Sequence, residues 1–303
     1  MNGGNNIMTG ITGWLIVNGS LKTDTFMEMV DHYKKAAAQV ELGLELIFNN
    51  ELIIGVGDDQ LFLKGAKPSQ LPKFVLFLDK DIRLAMQLEQ LGVRVFNSAR
   101  VIEICDDKAK TFQYLAGKGI HMPNTIIAPL MFRGVEKEEE YLLQVEKILG
   151  YPMVVKECYG SFGEQVYLVT NREELAAKRK ELITVPHLYQ QYIGYSKGKD
   201  IRIYIVGNEI VATMLRTSET DFRANINNGG IGVAYEPPTA FNLLALEVSK
   251  ALGADFLGID LLFEDEETPI LCEVNSNAHI KAIQSCTGVN VAEKIISHII
   301  AQL

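Results

Sequence analysis

Ile259-Asp260-Leu261-Leu262-Phe263 and, after a short acidic turn, Ile270-Leu271-Cys272-Glu273-Val274-Asn275 form the stretch from which the fold can be read. Each half is mostly apolar and broken by one or two polar residues, as a buried strand is. Asp260 stands alone among Leu, Ile and Phe. Glu273 and Asn275 sit two apart, and strand side chains alternate faces, so these two project the same way. The turn Glu264-Asp265-Glu266-Glu267-Thr268-Pro269 can close the strands into a hairpin, which places an Asp, a Glu and an Asn on one sheet face. Three oxygen-bearing side chains with room left for water and phosphate suit a hard cation such as Mg²⁺. Buried carboxylates are costly unless paired or metal-bound, and neither acid has a basic partner close by in sequence. The competing reading is two edge strands with solvated acids.

At 303 residues the chain is long enough for two or three packed units. Hydrophobic content of 48% and charged content of 22% are those of an ordinary globular enzyme. A net charge of −9 argues against a protein that coats nucleic acid, a task that needs a basic face. An acidic chain that binds polyphosphate must gather its Lys and Arg in one place. No apolar run approaches the ~20 residues of a membrane span, and residues 11–17 lack the basic lead-in of a signal peptide. Cys105, Cys158, Cys272 and Cys286 are widely spaced without a C-x-x-C pair. That pattern suits reduced thiols in a cytoplasmic protein.

Residues 1–10 read as a loose arm. Residues 14–18, 44–48, 74–78 and 93–96 read as strands alternating with helices over 25–42 and 80–91, so 1–105 is expected to be a small α/β unit with a mostly parallel sheet. A central lobe is expected over 106–193. It opens with a helix over 106–118 capped by Asp106 and continues with strands at 126–128, 153–156, 165–169 and 187–193. Helices over 136–149 and after Asn171 complete it. The last lobe, 194–303, holds a two-strand ribbon at 200–206 and 210–216 and a loop over 221–232. A helix over 239–252, the hairpin and a terminal helix from 291 follow.

Several residues in this order carry chemistry. Lys156 closes an apolar strand directly before Glu157-Cys158-Tyr159-Gly160-Ser161-Phe162-Gly163-Glu164. Glycines let backbone N–H groups approach an anion, and a lysine adds a point charge. The loop matches neither G-x-x-x-x-G-K-[ST] nor G-x-G-x-x-G, and by itself it could be a plain hairpin. Lys108 lies near a helix start, where a solvated lysine is the common case. Tyr189-Gln190-Gln191-Tyr192-Ile193 could offer its backbone to an adenine edge or be an ordinary half-buried strand. Arg202, Arg216 and Arg223, the last in Asp221-Phe222-Arg223-Ala224-Asn225, gather before the acidic hairpin; their planar forks suit carboxylate and phosphate.

Taken in order, Asp107-Lys108, Lys156 with its glycine loop, Gln191-Tyr192-Ile193, Asp200-Ile201-Arg202, Asp221 to Asn225 with Gly229-Gly230, Asp260 and Glu273-Val274-Asn275 resemble the ATP-grasp superfamily, and within it the RimK-type branch of α-L-glutamate ligases. The resemblance covers about residues 100–300. It implies an ATP-grasp fold, α/β and α+β, behind an N-terminal parallel α/β (pre-ATP-grasp) domain. Lys108, Lys156, Gly160, Ser161 and Gly163 would hold phosphates. Gln190, Gln191, Tyr192 and Ile193 would edge the adenine, and Asp200 the ribose. Asp260, Glu273 and Asn275 would hold Mg²⁺, two ions, with Mn²⁺ able to substitute. Arg202, Arg216, Arg223 and Asn225 would line the reaction centre. The implied activity is ATP-dependent carboxylate–amine ligation through an acyl phosphate. Glutamate or a similar amino acid would be added to a carboxylate acceptor, which could be a small molecule, a peptide or a protein. No nucleic acid or membrane partner is implied, and a homo-oligomer is. A small-substrate dipeptide or peptide-tailoring ligase, a phosphotransferase and a non-catalytic ATP-binding module are the other readings. The chain departs from the branch at Gln191, at Phe162 and Gln165, at Asn228, and at Ser276-Asn277-Ala278-His279, beside the acceptor site.

Overall fold

The acidic turn does close a hairpin, and the last lobe is built around it. The computed structural model describes residues 10–65, 70–134, 138–161, 163–226 and 229–303. The expected loose arm, apart from Gly10, lies outside these residues, as do Phe162 and Asn228. Strands β1 (Thr12–Val17), β2 (Gly43–Phe48), β5 (Phe74–Leu78) and β6 (Arg94–Phe96) make a parallel sheet in the order β2-β1-β5-β6, crossed by α1 (Asp24–Gln39) and α2 (Ile82–Gln90). Between β2 and β5 the chain inserts the separate hairpin β3 (Leu52–Gly57) and β4 (Gln60–Gly65), which the sequence reading missed.

Two helices then replace the one expected, α3 (Ala99–Asp106) and α4 (Lys108–Leu115). Asp107, not Asp106, caps the second, its carboxylate accepting from the Ala109 and Lys110 amides. Asp106 instead pairs with Lys80 of the N-terminal unit at 2.5 Å. The expected break at 105/106 therefore falls inside α3. Val101, Ile104 and Cys105 of that helix pack with the last sheet, while Ala99 and Ile102 pack with α2 residues.

The central lobe carries β7 (Thr125–Ile127), α5 (Glu139–Leu149), β8 (Met153–Glu157), β9 (Val166–Val169), α6 (Arg172–Glu181) and β10 (His187–Gln191), with the antiparallel order β7-β10-β8-β9. The last lobe carries β11 (Lys199–Val206), β12 (Glu209–Thr217), β13 (Ile231–Ala234), α7 (Thr239–Leu252), β14 (Phe256–Phe263), β15 (Pro269–Asn275), α8 (Lys281–Thr287) and α9 (Val291–Gln302). Its antiparallel sheet runs β13-β12-β11-β14-β15. Helix α7 covers one face, packing on Ile201, Ile203, Ile259, Leu261 and Val274. On the other face α1 and α9 bury Tyr204 and Met214. Among the described residues no helix is long and apolar enough to cross a membrane.

Candidate active site

The hairpin register fixes the acidic face. Asp260 stands opposite Glu273, and Asn275 opposite Gly258. The ladder slips by one residue between them and the turn, so that Leu261 pairs with Leu271 and Cys272 is left over. This β-bulge explains why Leu271 and Val274, three apart, share the α7 core. It also turns Cys272 and Glu273, neighbours in sequence, into the same cleft. Strict alternation would have sent the thiol to the core.

The acids are not left bare: the basic partners absent from their own stretch of sequence come from distant strands and from helix α4. Arg202 on β11 grips Asp260 with both nitrogens at 2.6 Å. Arg216 on β12 grips Asp200 at 2.6 and 2.7 Å and reaches Asp260 at 2.8 Å. The four residues form an alternating lattice across three strands, with Asp200, Arg216 and Asp260 all buried. Burial pushes the Asp260 carboxyl up, but its two guanidiniums outweigh burial and hold it below the usual carboxylate range. For Asp200 burial wins over Arg216, and its carboxyl lies above that range.

The opposite wall comes from the central lobe. Among the described residues Lys156, 6% exposed and next to last in β8, meets only the Cys272 sulfur, at 3.8 Å, and no carboxylate stands within ion-pair distance of it. Burial raises the Cys272 thiol to about 11, so it stays protonated. Lys108, 8% exposed, is placed by its backbone bond to the Cys158 carbonyl and by the Asp107 cap. Its ammonium lies 3.5 Å from Glu273.

Between the walls lies a cavity of about 710 Å³, counting its open mouth. The structure brings to its lining Lys108, Lys156, Gly163, Gln190, Gln191, Tyr192, Ile193, Asp200, Arg216, Arg223, Asn225, Asp260 and Glu273. Gly160, Ser161, Arg202 and Asn275 lie outside the lining. Gly160 adopts φ +147°, and a Cβ there would stand 2.4 Å from Gln165 Oε1. Gln165 braces the loop by accepting from the Ser161 amide at 3.2 Å, which gives that unusual residue a purpose. Ser161 Oγ faces Lys80 at 3.2 Å, away from the cleft. Arg223 is bound by Asp221 and donates to the Gly163 carbonyl, so it anchors the end of the glycine loop. Gln191 accepts from the Asn124 amide at 3.3 Å.

A scan against family models matches residues 105–299 to the RimK-like ATP-grasp domain. The chain belongs to the RimK-like ATP-grasp family. It is an ATP-grasp ligase, of the class that forms an amide at the expense of ATP. Beta-citrylglutamate synthase B of Mus musculus is 32% identical over 301 residues, covering 94% of this chain and 76% of its own. N-acetylaspartylglutamate synthase A of Mus musculus is 31% identical over 307 residues, covering 96% and 78%. The ATP-grasp ligase PsnB, solved with Mg, ADP and a phosphomimetic variant of its minimal precursor, has a TM-score of 0.68 at 14% identity, covering 97% of this chain and 99% of its own. That likeness shows the ATP-grasp fold.

In this RimK-like ligase the sequence reading missed the apolar half of the cleft. Val154, Val166, Leu262 and Phe222 line it, and the Phe222 ring meets Tyr192 edge-on at 6.4 Å. Val154 and Lys156 are two apart on β8, as are Asp260 and Leu262 on β14, so alternation from the charged residues carried that signal.

Proposed function

We propose that this ligase joins the amine of glutamate, or of a similar amino acid, to an acceptor carboxylate, with ATP and Mg²⁺ in the cleft. The buried ammonium of Lys156, with no carboxylate within ion-pair distance among the described residues, carries the reading, because a buried cation without an opposite charge is costly until an anion arrives. Lys156 and Lys108 hold the phosphates. Val154, Val166 and Leu262 sandwich a flat apolar ring, whose edge meets Gln190, Gln191, Tyr192 and Ile193. Asp200 takes the ribose.

The donors fit a magnesium ion that also uses phosphate oxygens. Among the described residues no group of three or more His, Cys, Asp or Glu could hold a metal. Mg²⁺ is commonly bound by one or two carboxylates plus substrate phosphates, not by an all-protein cage. Among the described residues Glu273 is partly exposed, Asp260 Oδ1 accepts only from Arg202, and Asn275 Nδ2 is buried without a partner. Rotating that amide presents its oxygen instead. When bound, Mg²⁺ would neutralise and align the phosphates. Arg202 and Arg216 keep Asp260 ionised and in place, and Arg223 with the Gly160 to Gly163 loop keeps water off the reacting group.

In that site an acceptor carboxylate attacks the γ-phosphate, giving an acyl phosphate and ADP. The amine then attacks the acyl carbon and expels phosphate. Both relatives compared above are named for products that contain glutamate, which makes glutamate the first amine to test. The deciding experiment is ADP release by the purified chain with ATP, Mg²⁺, an amino-acid panel and small polycarboxylate or peptide acceptors, with mass spectrometry of products. Release that needs both amine and acceptor, with a product heavier by one residue, supports the proposal. Release without an amine, yielding a stable phosphorylated acceptor, replaces it with phosphotransfer.

A further inference from the structure

Asn97 follows β6 in the N-terminal unit, and its side chain is completely buried against the last lobe. Its amide makes four hydrogen bonds, all to backbone of the hairpin strands and their flanks. Oδ1 accepts from the Asp255 amide at 2.7 Å and the Phe256 amide at 3.3 Å. Nδ2 donates to the Phe256 carbonyl at 2.8 Å and the Ser276 carbonyl at 3.0 Å. That uses every donor and acceptor a primary amide has, and a flipped amide would set N–H against N–H.

The placement matters more than the number of bonds. Ser276 is the residue after Asn275, and Phe256 is two before Gly258, the partner of Asn275 across the ladder. Asn97 therefore takes the place of the next rung, where the two strands part. Beyond that rung the chain folds back so closely that a Cβ on Gly258 would lie 2.4 Å from the Ala278 Cβ. Arg94 of the same unit also holds the start of β14, through the Asp255 carboxylate at 2.6 Å, with His298 on the same oxygen at 3.2 Å. Arg94 makes no bond to β15 or Ser276 among the described residues.

We propose that Asn97 is a positioning residue for the metal-holding set: through Ser276, the N-terminal unit fixes where Asn275 stands. This rests on the ligase reading, in which Asn275 is one of the donors. Partners that orient metal ligands typically matter by 10- to 100-fold in metal affinity or activity. Asn97 is thus a route by which the N-terminal unit acts on the metal although it supplies no ligand.

The test uses the full chain with ADP present and Mn²⁺ as probe, following free Mn²⁺ by electron paramagnetic resonance; ADP binding without metal is measured in parallel. Asn97→Leu removes all four bonds. Asn97→Asp keeps the two accepted ones and spoils the grip on Ser276. Arg94→Met loosens the same strand start without touching Ser276. Both Asn97 variants should raise half-saturating Mn²⁺ about tenfold, with metal-free ADP affinity within about twofold of wild type. Arg94→Met should lower the melting temperature and leave Mn²⁺ uptake unchanged. Should Asn97→Leu fail to fold, Asn97→Asp decides. Folded Asn97 variants with wild-type Mn²⁺ uptake overturn the inference, as does an Arg94→Met variant with the same Mn²⁺ shift. A wild-type chain that takes up no Mn²⁺ with ADP overturns the metal reading beneath it.

Discussion

The two walls of the cleft hold their charge in opposite ways. On the last sheet Asp200, Arg216, Asp260 and Arg202 alternate and neutralise one another before anything binds. On the central lobe Lys156 is as deeply buried and has no carboxylate within reach among the described residues. A self-paired lattice is a frame: it keeps its geometry whether or not a ligand is present. An unpaired buried ammonium is a demand, and a ligand's charge relieves it. The difference separates residues whose loss unfolds the protein from residues whose loss blinds it.

The sharpest way to test that contrast is Glu273→Ala, which removes the partly exposed acid of the metal set. Turnover should fall by about a thousandfold, the several kcal/mol that metal contact supplies, with the melting temperature within about 3 °C of wild type. Unchanged turnover in the folded variant sinks the metal assignment. Next comes Arg216→Ala, which strands the buried Asp200 carboxylate and leaves Asp260 to Arg202 alone. It should cost about 3–5 kcal/mol of stability, read by denaturant unfolding; a cost below about 1 kcal/mol would mean that the lattice is no frame. Lys156→Met should do the reverse. ATP affinity should drop about 10- to 30-fold, the equivalent of one charge-assisted bond, while stability holds or rises. Calorimetry showing wild-type affinity would break the comparison at its other end.

The smallest effect is in pH. His187 Nδ1 lies 2.7 Å from the Val185 carbonyl and donates to it, which leaves Nε2 as acceptor beside Arg179 and Tyr189. Burial, opposed by the Val185 bond and aided by Arg179, lowers its pKa from the ordinary 6.5. As pH falls below that value the unfolded chain takes a proton that the folded lobe refuses, so stability declines. Asp260 runs lower: its paired carboxylate adds stability above the usual 3.8, and that is lost only as pH falls through its depressed folded value. A melting curve against pH should begin to fall below about 6.5, and His187→Gln should flatten that first segment. A plateau down to pH 4 in the wild type contradicts the assignment.

What was legible in the sequence was what local periodicity encodes. The hairpin, α7 and the buried strand β5 fall where expected, because each is a strong apolar pattern with a clear stop. The hairpin β3–β4 was missed because its turn uses Asp58 and Asp59, both at positive φ, in place of the more recognisable Asn-Gly pair. β13 and α8 were missed because they are short. In the site, residue types could be read but pairing could not. Arg202 and Asp260 lie 58 positions apart and meet only because β11 and β14 are neighbours in the sheet. Cys272 was invisible as a cleft residue because no alternation rule places a bulge.

That bulge has a consequence in counting. From Pro269 to Leu271 the strand keeps step with β14, loses step at Cys272, and regains it at Glu273. Cys272 is therefore a spare link: striking it out leaves Leu271, Glu273, Val274 and Asn275 each opposite the partner it has now. Removing Val274 has no such refuge, and turns either Glu273 or Asn275 onto the α7 side. The sheet can thus forgive one deletion in its acidic strand, at the position where a substitution would look more dangerous. A chain lacking Cys272 that folds yet no longer binds nucleotide would show that the cleft needs the thiol, or the extra twist that comes with it.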